Sequence, residues 1–242
     1  MTTDTRRLER QLRRHFYAGI KRYGLIESGD HILLGLSGGK DSLALLDLLG
    51  EAMTRSGRRF EVTALHVRVS GVDYRSDTAY LNQRADASGI KLYVEDIAFE
   101  PDRNERRSPC FLCAWHRRKA LFELAQRLGC NKIALGHHQD DILRTALMNL
   151  THCGSFATMP ARLTMRKFPV TIIRPLCMVS EAMLRDHAAF SGYKPLEKSC
   201  PHENHSDRTR IETVVEAFSQ LNPDFRHSLW HALDSEGKLT EG

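Results

Sequence analysis

The chain has 242 residues, 41% hydrophobic and 27% charged, with a formal net charge of +5 at pH 7, and this composition is that of an ordinary soluble globular protein. No run approaches the roughly 18 consecutive apolar residues of a membrane span, and the N-terminus lacks the apolar core of a secretory signal, so we expect a cytoplasmic protein without a membrane segment. The mild positive charge is compatible with an anionic partner such as nucleic acid but does not require one.

The first predicted element is an amphipathic helix at residues 4–24. Leu8, Leu12, Phe16 and Ile20 recur at helical spacing on one face, and five arginines between residues 6 and 14 occupy the other faces. From residue 29 onward, strand-like and helix-like segments alternate. The predicted strands are 31–36, 60–68, 90–95, 131–136 and 169–174, and the predicted helices between them are 40–50, 75–88, 114–128 and 139–150.

This alternation predicts a Rossmann-like α/β fold, with a parallel five-stranded sheet and helices on both faces. After Arg174 the pattern changes to helices joined by loops. We therefore expect an N-terminal helical segment (1–28), a nucleotide-binding core (29–176) and a C-terminal helical tail (177–242). Folds of this kind bind ligands at the carboxyl ends of their strands.

A short polar loop, Ser37-Gly38-Gly39-Lys40-Asp41-Ser42, follows the first predicted strand and precedes a helix. Glycines at such a junction let backbone N–H groups approach a phosphate, and the helix dipole favours an anion there. The alternative is a tight turn with a capped helix start. A Walker A loop does not fit, because Gly35 is out of frame and Asp41 stands where that loop needs Ser or Thr.

The sequence SGGKDS resembles the PP-loop of the ATP pyrophosphatase family, which cleaves ATP between the α- and β-phosphates. The resemblance implies that residues 36–42 bind ATP and that Asp41 helps to hold Mg²⁺. Two later segments, "ALHVR" (64–68) and "LGHHQDD" (135–141), resemble the adenosine-binding strand and the second nucleotide motif of that family. The ATP-binding residues that this implies are Leu36, Ser37, Gly38, Gly39, Lys40, Asp41, Ser42, His66, Gly136, His137 and Asp140.

Three cysteines stand apart from the rest. Cys110 and Cys113 form C-F-L-C after Pro109, and Cys200 lies in "KSCPHENHSDRTR" near the C-terminus. With His202 or His205 they could form a tetrahedral zinc site, and as three thiolates alone they could hold a 4Fe–4S cluster with one open iron. Spacing does not decide between the two. We expect Cys130, Cys153 and Cys177 to be small buried hydrophobic residues.

A PP-loop followed by C-x-x-C and a third cysteine in the tail resembles the tRNA 2-thiocytidine synthetase family of iron–sulfur tRNA thiolases. The resemblance runs from about residue 10 to residue 233 and implies a 4Fe–4S cluster on Cys110, Cys113 and Cys200. Asp41, Asp140 and these cysteines would be the catalytic residues: ATP adenylates the C2 oxygen of the base, and cluster-bound sulfur displaces AMP. Where proteobacterial members often have another cysteine near the third, this chain has Pro201-His202-Glu203.

Six basic residues bracket the C-x-x-C: Arg103, Arg106, Arg107, Arg117, Arg118 and Lys119. Such clusters are often only solvated surface, but around a reactive centre they would suit a tRNA backbone. The expected partners are tRNA and a sulfur donor such as a cysteine desulfurase or free sulfide, and a homodimer is left open. Two alternatives remain: another PP-loop tRNA modifier, of the 2-thiouridine or lysidine type, and a non-catalytic nucleotide- and zinc-binding module.

Overall fold

The computed structural model describes residues 3–55, 57, 59–70, 77–98, 109–194 and 207–241. In these ranges the elements are α1 (Thr3–Tyr23), β1 (His31–Gly35), α2 (Lys40–Arg55), β2 (Glu61–Ser70), α3 (Thr78–Ala87), β3 (Lys91–Ala98), α4 (Pro109–Leu128), β4 (Lys132–Ala134), α5 (Gln139–Cys153), β5 (Arg162–Thr164), β6 (Thr171–Ile173), α6 (Glu181–Phe190), α7 (Asp207–Leu221), α8 (Phe225–Ser235) and β7 (Thr240–Glu241). None of the described helices is long and apolar enough to cross a membrane.

The strands form one sheet in the order β3-β2-β1-β4-β6-β5-β7. The five predicted strands correspond to β1, β2, β3, β4 and β6, which are mutually parallel, so the predicted α/β fold is confirmed. The predicted strand number was too low, because β5 pairs antiparallel with β6 and β7 pairs with β5 at the edge of the sheet. β5 (Arg-Leu-Thr) and β7 (Thr-Glu) have at most one apolar residue each, so the sequence gives no strand signal there.

The buried run in β1 explains how the sheet separates two layers of helices. Ile32 and Leu34 belong to the larger core cluster on one face, and Leu33 between them belongs to the cluster on the other face. All three are fully buried, as expected for a central strand whose side chains alternate between two covered faces. Helix α4 covers the face of Leu33, and α1, α2 and α6 lie on the other.

Helix α1 packs against the core through its predicted apolar face. Leu12, Phe16 and Ile20 are buried in the larger cluster, and Leu8 is half-buried. Glu9 on the same helix pairs with His187 of α6 at 2.6 Å. The N-terminal helix and the tail helix α6 are therefore packed together on one face of the sheet, whereas the predicted division at residues 28 and 176 stays a prediction.

Helix α4 begins earlier than the sequence indicated. The predicted start was residue 114, but the helix begins at Pro109, so the C-x-x-C lies in its first turn. Proline is favourable at the first position of a helix because its missing N–H has no intrahelical partner there. Gly129, with a φ of 68°, follows the end of the helix in the left-handed conformation that favours glycine.

Gly50 lies where α2 packs closely against the end of α3, with no space for a larger side chain. A Cβ at this position would lie 2.6 Å from the Ser88 carbonyl oxygen and 2.8 Å from Ser88 Cβ, so the backbone would have to move. Gly50→Ala should therefore lower the free energy of unfolding by roughly 1–3 kcal/mol, measured by urea denaturation. Thr54→Ala, on the exposed side of the same helix, is the control, and equal stability of the two variants would contradict the constraint.

Candidate active site

The loop after β1 leads directly into the N-terminus of α2. It turns at Gly38, whose φ of 88° lies in the left-handed region that favours glycine. A Cβ on Gly39 would lie 3.5 Å from Ser37 Oγ, which is an ordinary van der Waals contact, so the steric requirement for glycine is at Gly38. Helix α2 begins at Lys40, and the first N–H groups of a helix have no intrahelical partner. The Gly38 and Gly39 N–H groups donate to the Ser42 and Ser37 side chains, so it is the start of α2 that can present N–H groups to a phosphate.

Ser42 holds this loop in shape from inside. Its hydroxyl accepts hydrogen bonds from the Gly38 N–H and the Ser37 hydroxyl, both at 3.1 Å, and donates to the Gly39 carbonyl at 2.9 Å. The side chain is buried. Because both its donor and its acceptor capacity are used within the loop, Ser42 supports the geometry of the turn.

Lys40 and Asp41 form an ion pair at the start of α2. Lys40 Nζ lies 2.9 and 3.1 Å from the two Asp41 carboxylate oxygens and 3.7 Å from Glu181 Oε1. Glu181 also accepts a hydrogen bond from Arg144 at 2.7 Å. Burial alone would raise the pKa of Glu181, but Arg144 and Lys40 lower it overall, so this carboxylate stays ionised. Sequence analysis missed Glu181, because only the fold brings α6 next to the loop.

The second predicted motif lies directly against the first. A Cβ on Gly136 would lie 3.2 Å from the Ser42 backbone nitrogen and 3.3 Å from the Asp41 carbonyl carbon, so glycine permits the contact. His138 follows, with its backbone N–H donating to Asp141 Oδ2 at 3.1 Å. Burial lowers the pKa of His138, against the opposing effect of the Asp141 and Asp41 charges. His137 accepts a hydrogen bond from Arg174 Nε at 3.3 Å.

Asp140 lies at the junction of α5, α6 and α8. It is 5% exposed, and its Oδ2 accepts a hydrogen bond from the Glu181 backbone N–H at 2.8 Å. Its Oδ1 forms an ion pair with Arg226 of α8. A buried carboxylate requires such partners. Asp140 therefore ties the tail helices to the loop region, and Arg226, which sequence analysis did not identify, is part of that connection.

His66 and Leu36 join the ends of β1 and β2. His66 is buried, and its Nδ1 donates to the Leu36 carbonyl at 2.7 Å, while the Leu36 N–H donates to Leu65 O at 2.8 Å. Burial lowers the pKa of His66, its hydrogen bond to Leu36 partly offsets this, and the charge of Arg117 lowers it further. The imidazole is therefore neutral near pH 7. Arg117 on α4 thus lies within electrostatic reach of this edge of the sheet.

The C-x-x-C begins the helix that approaches this edge. A Cβ on Gly35, the last residue of β1, would lie 3.5 Å from Leu121 Cδ2, so α4 crosses the end of β1 two turns after Cys113. Cys113, whose side chain is half-buried, lies three residues after Cys110 in this helix. The side chain of Cys110, and the whole of Cys200, Arg103, Arg106 and Arg107, lie outside the described residues. Among the residues that are described, no group of three or more His, Cys, Asp or Glu side chains is arranged to hold a metal ion.

The remaining cysteines differ from one another. Cys130 and Cys177 are buried, which confirms the prediction for them, and burial raises the pKa of their thiols to about 11 and about 12. The same prediction was wrong for Cys153, which is exposed at the end of α5. Gly154 after it has a φ of 59° and ends the helix at the surface.

The basic residues after the C-x-x-C do not share one environment. Arg117 is half-buried and its charge lowers the pKa of His66, whereas Arg118 and Lys119 are exposed. Arg118 Nε donates to the Ala114 carbonyl at 3.1 Å, and Lys119 Nζ lies 3.6 Å from Glu123. These contacts stay within α4 and leave both side chains on the outer surface of the helix.

The donor groups fit the ligands that the sequence predicted. The N-terminus of α2 and the Lys40 ammonium suit a polyphosphate. Asp41 offers carboxylate oxygens, and Mg²⁺ commonly binds one or two carboxylates together with substrate phosphates. Thiolates are the donor type of iron–sulfur clusters, and the C-x-x-C places two cysteines at the start of α4.

The PP-loop domain model matches residues 5–217 of this chain. A tRNA-cytidine(32) 2-sulfurtransferase of Syntrophotalea carbinolica is 34% identical over 231 residues, covering 94% of this chain and 89% of the relative. The enzyme of the same name from Geobacter sulfurreducens is 34% identical over 215 residues, covering 87% and 84%. The fold is similar to that of the U34-tRNA thiolase NcsA from Methanococcus maripaludis, solved with its [4Fe-4S] cluster, at a TM-score of 0.77 and 24% identity over 97% of this chain and 80% of that one.

Proposed function

The chain belongs to the PP-loop family that includes the tRNA-cytidine(32) 2-sulfurtransferases, and on this basis we propose that it is an ATP-dependent tRNA sulfurtransferase that converts a tRNA cytidine to 2-thiocytidine. The observation that carries the proposal is the packing contact between the two nucleotide motifs. Gly136 lies against Asp41 and Ser42, so the loop after β4 and the PP-loop form one continuous surface at the carboxyl edge of the sheet. The relatives' names supply cytidine 32 as the target.

In this proposal the PP-loop binds the β- and γ-phosphates, which depart as pyrophosphate. The N–H groups at the start of α2 and the Lys40 ammonium oppose the phosphate charge. The C2 oxygen of the base attacks the α-phosphorus, the bond to the β-phosphate oxygen breaks, and the base becomes adenylated. Sulfur then bonds to C2 as the C–O bond breaks and AMP leaves. A base in a loop or flipped out of a helix is needed, because its C2 oxygen must reach ATP.

Asp41 has two partners available at different stages of the reaction. In the structure it is paired with Lys40, and Glu181 is near the same ammonium. When ATP binds, the phosphates compete for Lys40 and release Asp41 as a ligand for Mg²⁺. The internal ion pair thus keeps both side chains in place before the nucleotide arrives.

Cys110, Cys113 and Cys200 would hold a 4Fe–4S cluster, which when bound supplies an open iron site for the transferred sulfur. Helix α4 contributes to this arrangement by placing the C-x-x-C in the turn that precedes Arg117 and the His66 edge. The half-buried position of Cys113 limits contact between its thiolate and water. We propose a cytoplasmic enzyme that receives sulfur from a cysteine desulfurase or from free sulfide.

The products of ATP turnover test the proposal. With ATP, Mg²⁺, sulfide and tRNA lacking the modification, the anaerobically purified protein should form AMP and pyrophosphate in amounts equal to the thiolated cytidine formed. The measurement is thin-layer analysis of α-³²P- and γ-³²P-labelled ATP beside mass spectrometry of digested tRNA. A tRNA transcript with uridine in place of cytidine 32 is the control. Formation of ADP and phosphate would contradict the proposed chemistry.

A further inference from the structure

Helix α4 carries a row of exposed aromatic and basic side chains on its outer side. Phe111 is 43% exposed and Trp115 is 44% exposed. Arg118 and Lys119 are exposed as well. These four residues, here called the α4 row, are spaced by four, three and one positions, which places them along one side of the helix.

The opposite side of α4 packs against the hydrophobic core, so the helix is anchored without the α4 row. Ala120 and Leu124 are buried in the cluster that includes Leu33 and Leu65. Trp115 has no place in that cluster because it lies on the solvent side. Tryptophan is enriched at interaction surfaces, and adjoining exposed apolar side chains rimmed by polar residues mark such a surface.

The charges around Trp115 favour an anionic partner. Lys119 Nζ lies 5.8 Å from the centre of the Trp115 ring, and Arg118 lies beside it on the same helical side. Glu123 is 3.6 Å from Lys119, but this pair is exposed and therefore weak. The first turn of the helix contains no acidic residue. An aromatic ring flanked by cations fits an unpaired nucleotide, whose base offers a face for stacking and whose phosphates offer negative charge.

We propose that Trp115 is a stacking platform for an unpaired tRNA base, with Arg118 and Lys119 contacting the adjoining phosphates. This inference rests on the proposed function for the identity of the RNA. The stacked base is a neighbour of the reacting cytidine and not the cytidine itself, because Trp115 and Cys113 are two positions apart and so lie on different sides of α4. Stacking on Trp115 would keep the tRNA loop open while the reacting cytidine, the neighbour of the stacked base, reaches the carboxyl edge of the sheet.

Intrinsic fluorescence tests the platform directly, because the chain has only two tryptophans. Trp115 is exposed and Trp230 is buried at 9% exposure, so a base that stacks on the surface will quench Trp115. The probes are an unmodified anticodon stem-loop RNA and a fully paired RNA duplex of the same length. We expect quenching by the stem-loop, little by the duplex, and none by the stem-loop in Trp115→Phe, whose remaining tryptophan is Trp230.

Binding measurements on variants supply the second readout. Trp115→Ala should weaken stem-loop binding about tenfold, and Trp115→Phe should recover most of this loss, because alanine removes the stacking surface and phenylalanine retains a ring. Phe190→Ala is the matched control, since Phe190 is another exposed aromatic, at 49%, on α6. Its stem-loop affinity should equal that of the wild type.

Three results would overturn the platform: quenching that persists in Trp115→Phe, equal quenching by the duplex, or an unchanged affinity in Trp115→Ala. Self-association that depends on Trp115, without quenching by RNA, would assign the surface to a second copy of the chain instead. The proposed function fails separately. Quenching by the stem-loop in a protein that forms no pyrophosphate would contradict the sulfurtransferase activity and support the platform.

Discussion

Asp41→Asn is expected to reduce pyrophosphate formation roughly 100-fold or more while leaving ATP bound. A carboxylate ligand of Mg²⁺ stabilises the charge that develops on the leaving pyrophosphate, and metal-ion effects of this kind are worth several kcal/mol. Asparagine retains the shape of the side chain and its place at the start of α2 but removes the negative charge. The measurement is the single-turnover rate of pyrophosphate release in the presence of tRNA.

Because Asp41 is paired with Lys40, we expect Asp41→Asn to slow the reaction without weakening the binding of ATP. Lys40 Nζ lies within 3.1 Å of both Asp41 oxygens, so ATP must compete with Asp41 for this cation. Removing the carboxylate relieves that competition, and metal-free ATP should bind Asp41→Asn at least as tightly as the wild type. Asp86→Asn, an exposed change on α3, is the control for both measurements. A rate within threefold of the wild type would show that Asp41 is not a metal ligand during the reaction.

The sequence was sufficient to predict the central sheet because each parallel strand combines an apolar run with a polar boundary. His31–Gly35, for example, contains three fully buried residues between half-buried ends. The edge strands were missed because β5 and β7 depend on pairing partners supplied by distant parts of the chain. The equally short β4 and β6 were predictable because each contains two apolar residues, whereas β5 contains one and β7 none.

The candidate site likewise contains residues that the sequence predicted and residues that only the fold revealed. The loop at Ser37–Ser42 was predictable because its glycines, lysine and aspartate are contiguous. Glu181 and Arg226 were not, because each reaches its partner, Lys40 or Asp140, through tertiary packing of α6 or α8. Neither residue stands in a local pattern that distinguishes a site residue from an ordinary surface charge.

Loss of iron and sulfide is the result expected from Cys200→Ala. Three thiolates hold a 4Fe–4S cluster only if all three are present, so anaerobically purified wild-type protein should contain about four iron and four sulfide ions per chain, and Cys113→Ala and Cys200→Ala should contain little of either. Cys153→Ala is the matched control, because Cys153 is exposed at the end of α5 and belongs to no predicted ligand set. It should retain the full metal content.

His202→Ala separates the cluster from the zinc alternative. A closed tetrahedral Cys₃His site needs a fourth protein ligand, whereas a cluster on three thiolates does not. The expected result is that His202→Ala retains iron and sulfide and continues to thiolate tRNA. His205→Ala should behave the same way, since either histidine could complete the zinc site. One zinc per chain that is lost with either histidine, in protein prepared without air, would contradict the iron–sulfur assignment and with it the proposed route for sulfur. Metal analysis by mass spectrometry, with acid-labile sulfide measured on the same samples, decides between the two because zinc sites of this kind contain no inorganic sulfide.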